Sequence, residues 1–501
     1  MFTLTTFENF NEDTDEVTMS TTSSASLPMN WSGLAVRAIR WWQRRGAARV
    51  AHDPTAPNPF LDDVFAPVAT ETTATSLDVV GELPEALNGL YARIGPNPLK
   101  QPHRSQYHWF IGDGMLHGVR LREGKALWYR SRWVGSPSVN EALGRPQVPG
   151  EQRGVSDVVN TNVYGHAGRL WASSEAGVLP VELDGELNTL QHSLFNGGIS
   201  TAYTAHPHPD PVTGDLHAIC YDALQPKRVR YVRVSASGQV DRMVDIKVKH
   251  GPMIHDCAIT ASKVIVLDLP VTFSVRMAVG GATFPYAWNA RHKARVGVLP
   301  RDGRGSDVRW FDVDPCYVFH PCNAHDLPDG TVVLDVVVHE RMFDRSRVGP
   351  ELEGRARFER WTLPAKGTRV QRQVISDVSQ EFPRLDERLL GRPYRYAYAV
   401  EFGKAGHGGQ TLMRHDLHTG TTLHHSFGPD VTPGEFVFVP RHAGSAEDDG
   451  WLVGLVANRQ TQLGELHVLN ADDLGGLPQA IVKLPSRVPM GFHGNWIADR
   501  V

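Results

Sequence analysis

Four histidines stand in local settings that suit a metal ligand better than a solvated loop position. They are His206 in Thr204-Ala205-His206-Pro207-His208, His255 in Met253-Ile254-His255-Asp256, His320 in Val318-Phe319-His320-Pro321-Cys322-Asn323, and His493 in Gly491-Phe492-His493-Gly494-Asn495. Each ring follows a small or apolar residue. Imidazole nitrogen suits iron, zinc, copper and nickel alike, so the four rings do not name the ion. An octahedral set of four leaves two positions open, and neutral ligands leave the charge of the ion uncompensated. Carboxylates that accept the second ring N–H would answer both the charge and the ring orientation. Glu175 in Ser173-Ser174-Glu175-Ala176, Glu381 in Gln380-Glu381-Phe382-Pro383 and Glu435 in Gly434-Glu435-Phe436-Val437 are embedded among small or apolar residues, and a buried carboxylate needs a partner. The competing reading is structural. The sequence holds 23 histidines, and a histidine in an apolar strand is more often a core residue. His108, His166, His217, His325, His339 and His467 are read that way, and an arginine is as good a partner for each glutamate as a ring.

Something must hold these residues together, and the sequence describes strands. Its 501 residues include 47 Gly and 34 Pro, with short apolar runs such as Ala126-Leu127-Trp128-Tyr129, Val229-Arg230-Tyr231-Val232 and Val264-Ile265-Val266-Leu267 between turn residues. Asp210 to Asp215, Pro328-Asp329-Gly330 and Glu447-Asp448-Asp449-Gly450 read as hairpin connections. No alternation of strand and helix appears, which excludes a doubly wound sheet. His206, His255, His320, Glu381, Glu435 and His493 follow one another at intervals of 49, 65, 61, 54 and 58 residues. One four-stranded propeller blade takes roughly 40 to 50 residues, so one such residue per blade would converge on a central axis. The predicted class is all-β, a seven-bladed propeller in which helical and loop segments cap an axial metal site.

Composition bounds the rest. Basic and acidic residues nearly balance, 51 against 55, which leaves no field for nucleic acid, and no apolar run is long enough to span a bilayer. The cysteines Cys220, Cys257, Cys316 and Cys322 lack metal or redox spacing and read as buried thiols. Residues 1–56 form an extension distinct from the single domain expected over 57–501. Within it, Trp31, Leu34, Ala35, Ala38, Ile39 and Trp42 share one helical face and Arg37, Arg40 and Arg44 another. Such a helix over 31–45 predicts peripheral membrane contact in a cytoplasmic protein, or organelle targeting if translation begins at Met19; the alternative is a helix packed on the domain.

The motifs together resemble the carotenoid cleavage oxygenase family from about Pro57 to Trp496. The resemblance rests on Gly81-Glu82-Leu83-Pro84, Gly89-Leu90-Tyr91, Gly95-Pro96-Asn97-Pro98, Tyr107-His108-Trp109-Phe110, Gly112-Asp113-Gly114-Met115, the four histidine stretches and the Glu447 to Gly450 turn. It implies one Fe(2+) held by His206, His255, His320 and His493, with Glu175, Glu381 and Glu435 bonded to three of those rings. It also implies that Thr161 crowds one open position beside the reacting centre. The reaction implied is cleavage of a conjugated carbon–carbon double bond by molecular oxygen, giving two carbonyl products from an apolar small-molecule substrate. Carotenoids or apocarotenoids come first, stilbene or phenylpropenoid alkenes second. A propeller hydrolase or lactonase and a non-catalytic lipid carrier are the readings from other classes. Two departures stand out. His325-Asp326 replaces the family's aromatic and glutamate, with His325 read as no ligand, and the connection from Val271 to Tyr286 lacks a longer apolar insertion.

Overall fold

The computed structural model describes residue 53 and residues 55–499, apart from 151–156, 177, 194, 196–197, 200–201 and 404–408. The amphipathic segment expected at 31–45 lies outside the described residues. Seven sheets of four or five antiparallel strands form the blades of a propeller, and an eighth sheet is a two-stranded hairpin. Taken along the chain, the first six blades run over residues 162–192, 208–247, 258–312, 321–376, 380–426 and 431–483. The seventh joins the two ends of the chain. Strand Gly494–Ala498 pairs with Gly89–Pro96, which pairs with Gly114–Arg122 and then Lys125–Trp133. A propeller has an edge wherever its ring is open, and this late-to-early pairing closes the ring.

Sequence pattern explains depth within a blade. Strand Val332–His339, Val-Val-Leu-Asp-Val-Val-Val-His, is buried at all its positions because neighbouring blades cover both of its faces; such a strand reads as a continuous apolar run. The outermost strand Gln371–Ser376 of the same blade is mostly exposed and polar. The first strands of neighbouring blades touch around the axis, as Gly494–Ala498 does with Asn162–His166 and Ala258–Ile259 with Pro321–Asp326. The cap comes from connections on one face. It includes the hairpin of Val271–Phe273 and Tyr286–Trp288, whose loop carries the short helix Val275–Val279, started by the Ser274 side chain accepting from Met277 N–H. The 3-10 turn Trp109–Ile111 adds aromatic bulk beside it.

Candidate metal centre

Each blade delivers one of the predicted residues from its axial strand or from the one to three residues before it. Thr161 immediately precedes the first strand of its blade, as do His320 and His493; His206 and His255 stand two and three residues before theirs; Glu381 and Glu435 lie within theirs. Glu175 is the exception, following the second strand of the first blade, Arg169–Ser173. Irregular pairing aims several of these side chains. Register shifts fall between Pro321 and Asn323, between Glu381 and Arg384, and between Pro433 and Phe436, and a bulge re-aims the residue it contains. Phe382, next to Glu381, takes φ 53°, a conformation that costs an L-residue of order 1 kcal/mol or more and is held by its surroundings. The His493 loop reaches the axis through a back-to-back pair of glycines. A Cβ on Gly95 would lie 2.5 Å from the Gly491 Cα. Phe492 N–H donates to Ile94 O and His493 N–H to Thr161 O, tying that loop to the last and first blades at once.

The four rings meet. His206, His255, His320 and His493 are buried, with ring nitrogens within 4.8 Å of one another. His255 Nε2 lies 3.1 Å from His206 Nε2 and 3.1 Å from His320 Nε2, and the His206 and His493 ring centroids are 4.4 Å apart. Behind three rings stands a carboxylate. His255 Nδ1 donates to Glu175 Oε1 at 2.9 Å, His320 Nδ1 to Glu381 Oε2 at 2.7 Å, and His493 Nδ1 to Glu435 Oε1 at 3.0 Å.

These bonds fix the chemistry of the centre. An ionised carboxylate only accepts, so each of these three rings carries a hydrogen on Nδ1, and in the neutral ring Nε2 is a bare lone pair. His255 and His320 then point two lone pairs at one another across 3.1 Å, an arrangement that repels unless a cation lies between them. Nitrogen ligands at right angles, each about 2.1 Å from an ion, stand about 3.0 Å apart. The donor set therefore fits a single transition-metal ion. Burial, and then the imidazoles of His493, His255 and His320, hold His206 well below its ordinary value and so neutral. Burial alone would raise the carboxyls of Glu381 and Glu435. Arg384 and His493 nevertheless hold Glu435 down at about 2, and His320 with His339 holds Glu381 well below the carboxylate range. Both glutamates remain anions that can offset the charge of a cation.

Three supporting residues carry no signal in the sequence. Tyr221 Oη donates to Glu175 Oε2 at 2.9 Å, His339 Nε2 to Glu381 Oε1 at 2.5 Å, and Arg384 Nη1 reaches Glu435 Oε1 at 3.4 Å. Each glutamate is thus held from both oxygens, since Gly494 N–H donates to Glu435 Oε2 at 2.8 Å. His339, read as an ordinary core residue, is the clearest miss. It ends a strand buried throughout, and spacing within that strand does not tell a packed ring from one bonded to Glu381. His206 has no glutamate. Its Nδ1 is 3.8 Å from Asp256 Oδ2, while Asp256 Oδ1 accepts from His208 Nε2 at 2.6 Å. His325 stands outside the group: it lies within the strand Pro321–Asp326 that His320 precedes, and the bulge after Pro321 breaks the alternation between them.

Two cavities approach the tetrad. One, of about 550 Å³, is walled chiefly by aromatic and aliphatic side chains, including Trp109, Phe110, Phe284, Phe319 and Phe492, and reaches His255, His320 and His493. Thr161 lines it. The Thr161 hydroxyl donates to Asn160 Oδ1 at 2.9 Å and lies 3.0 Å from Ser174 Oγ, which leaves its methyl group as the unengaged end. The other cavity, of about 300 Å³, has walls of mixed polarity, more polar than those of the first, and reaches His206, His320 and His493.

The sequence profile of the family described as "Retinal pigment epithelial membrane protein" matches residues 65–498. The chain is 42% identical over 489 residues to a carotenoid cleavage oxygenase of Mycobacterium tuberculosis, covering 88% of this chain and 97% of that one. Among solved structures, a lignostilbene dioxygenase of Pseudomonas brassicacearum superposes with a TM-score of 0.80 at 28% identity, covering 89% of this chain and all of that one. A cobalt-substituted apocarotenoid oxygenase of Synechocystis gives a TM-score of 0.76 at 26% identity, with 86% and 97% covered.

Proposed function

The chain belongs to the retinal pigment epithelial membrane protein family, which includes the carotenoid cleavage oxygenases, and from that premise we propose that it is an iron-dependent dioxygenase cleaving a conjugated double bond of an apocarotenoid or carotenoid. The observation that carries this reading is a tetrad of inward lone pairs set in the wall of an aromatic cavity. His206, His255, His320 and His493 would hold one Fe(2+), and Glu175, Glu381 and Glu435 would orient three of the rings. When bound, the iron supplies the electron chemistry by which dioxygen adds across the alkene, one oxygen atom ending in each of two carbonyl products. The residues do the rest. The aromatic walls exclude water and hold an extended π-system beside the tetrad, so that orientation selects the bond. The Thr161 methyl narrows the space on one side.

The lining favours a mostly apolar substrate. Its described residues include no lysine or arginine, and the Tyr221 hydroxyl is already bonded to Glu175. Tyr286, in the cap hairpin, lines the same cavity with its Oη buried and without a partner. A buried hydroxyl without a partner costs free energy, and the hydroxyl or carbonyl end group of an apocarotenoid would satisfy it. A stilbene phenol would do the same, and the fold similarity to a lignostilbene dioxygenase keeps that substrate class as the second reading. Tyr286→Phe is expected to raise KM for substrates with an oxygenated end group about tenfold, leaving kcat and the KM of hydrocarbon analogues near wild type; equal KM changes for both would remove this role.

The deciding experiment loads metal-free protein anaerobically with Fe(2+), adds a panel of apocarotenoids, carotenoids and stilbenes, and follows oxygen uptake and carbonyl products. One dioxygen consumed per pair of carbonyls is the expected result, and no cleavage of any panel member would overturn the reading. In the same reading the enzyme works in the cytoplasm and meets an anionic membrane surface through residues 31–45. Deleting residues 1–50 would then abolish salt-sensitive liposome binding.

A further inference from the structure

The two cavities differ in kind, and the difference bears on how the tetrad acquires its ion. The larger one is aromatic. Asp157, Glu175, Glu381 and Glu401 also stand in its wall, but it does not reach His206, and the apolar substrate it is shaped to hold would occupy it. The smaller cavity is lined by four carboxylates, of Asp256, Asp386, Glu387 and Glu435, against the two guanidinium groups of Arg384 and Arg388. It opens at Gly165, Pro209 and Glu387, all exposed, and ends on His206, His320 and His493.

We propose that this more polar cavity is the loading route for the metal, with His208 and Asp256 as the last stop before the tetrad. The inference rests on the metal-centre reading and concerns how the ion arrives, which that reading leaves open. The geometry suits a hand-over. His208 Nε2 and Asp256 Oδ1 are 2.6 Å apart on the cavity wall, and the other oxygen of the same buried carboxylate is 3.8 Å from His206 Nδ1. One carboxylate therefore faces both an incoming ion and a ring of the tetrad. At the mouth, Glu387 is half exposed and paired with Arg384 Nη2 at 2.8 Å. Arg384 also donates to Asn495 Oδ1 at 2.7 Å, so the guanidinium is engaged with protein groups while Glu387 keeps contact with solvent.

The test measures cobalt uptake by the metal-free full-length protein, mixing it with Co²⁺ and following ligand-field absorption in time, with cobalt per chain measured at the end. Gly165→Trp blocks the mouth. A Cβ there would meet only Ile497 side-chain carbons, at 3.4 and 3.8 Å. Glu387→Lys reverses the charge at the mouth, and His208→Ala removes the last stop. Each variant is expected to load at least about tenfold more slowly than wild type, the scale of lost electrostatic focusing, and still to reach wild-type cobalt per chain. A long-chain alkyl detergent filling the aromatic cavity is expected to leave the rate unchanged. Wild-type loading rates in Gly165→Trp and Glu387→Lys, or loading blocked by the detergent, would overturn the route while leaving the metal centre in place. A wild-type protein that takes up no cobalt at all would overturn the centre itself, and the route with it. Thermal melts exclude misfolding, and the two mouth variants fail independently of each other.

Discussion

The bonding of a single imidazole decides what the centre can hold. His320 is fixed by Glu381, and Glu381 is fixed in turn by His339 and by the N–H of Phe382. Glu381→Gln keeps the shape but replaces one accepting oxygen with a donor that meets a ring N–H. Metal affinity is expected to fall about 10- to 100-fold, read as metal retained per chain after dialysis against a chelator. His339→Phe, which leaves the His320 bond intact but frees one carboxylate oxygen, is expected to give a smaller loss in the same direction. Full retention in both variants would reduce Glu381 to a packing role. His325→Ala is the control: it lies outside the tetrad and is expected to keep wild-type metal content.

At the scale of elements, the decisive feature is that the axial strands end in bulges and loops. An uninterrupted strand turns alternate side chains to opposite faces, whereas the centre needs single side chains aimed across an axis. The Gly95 and Gly491 contact shows how narrow the tolerance is. Gly95→Ala would set a Cβ 2.5 Å from backbone that cannot move without shifting His493. The expected destabilisation is about 1 to 3 kcal/mol, with a loss of bound metal larger than the fall in melting temperature accounts for. Metal content following melting temperature alone would mean that the loop adapts.

For the whole molecule, the buried histidines make stability depend on pH. Burial, followed by Arg347 for His108 and Arg93 for His117, holds both rings down at about 3, against about 6.5 in an unfolded chain. Between these values the unfolded state binds protons that the folded state refuses, so the contribution of these two rings to stability is fully present above about pH 6.5 and is lost as pH drops toward 3. The two rings together give a slope of up to about 3 kcal/mol per pH unit, and His206 acts in the same direction. Melts of metal-free protein from pH 6.5 to 4 test this, and His117→Gln is expected to remove about 1.4 kcal/mol per unit of the slope; an unchanged slope would show that His117 is not among the groups responsible. Much of this architecture was legible in the residues themselves. Alternating apolar runs with glycine and proline turns specify strands because side-chain period and turn chemistry are local properties. The near-regular spacing of His206, His255, His320, Glu381, Glu435 and His493 follows from one axial strand per blade. The four histidines that the family resemblance singles out are brought together in the fold, His206, His255, His320 and His493 each lying just before the first strand of its blade. Tertiary structure alone decided that His339, Tyr221 and Arg384 hold the glutamates, that Asp256 faces both His206 and His208, and that the tetrad lies between an aromatic cavity and a more polar one. Those relations join residues 42 to 51 positions apart across neighbouring blades, where only the angle between sheets determines which side chains meet, and no local pattern in the sequence encodes that angle.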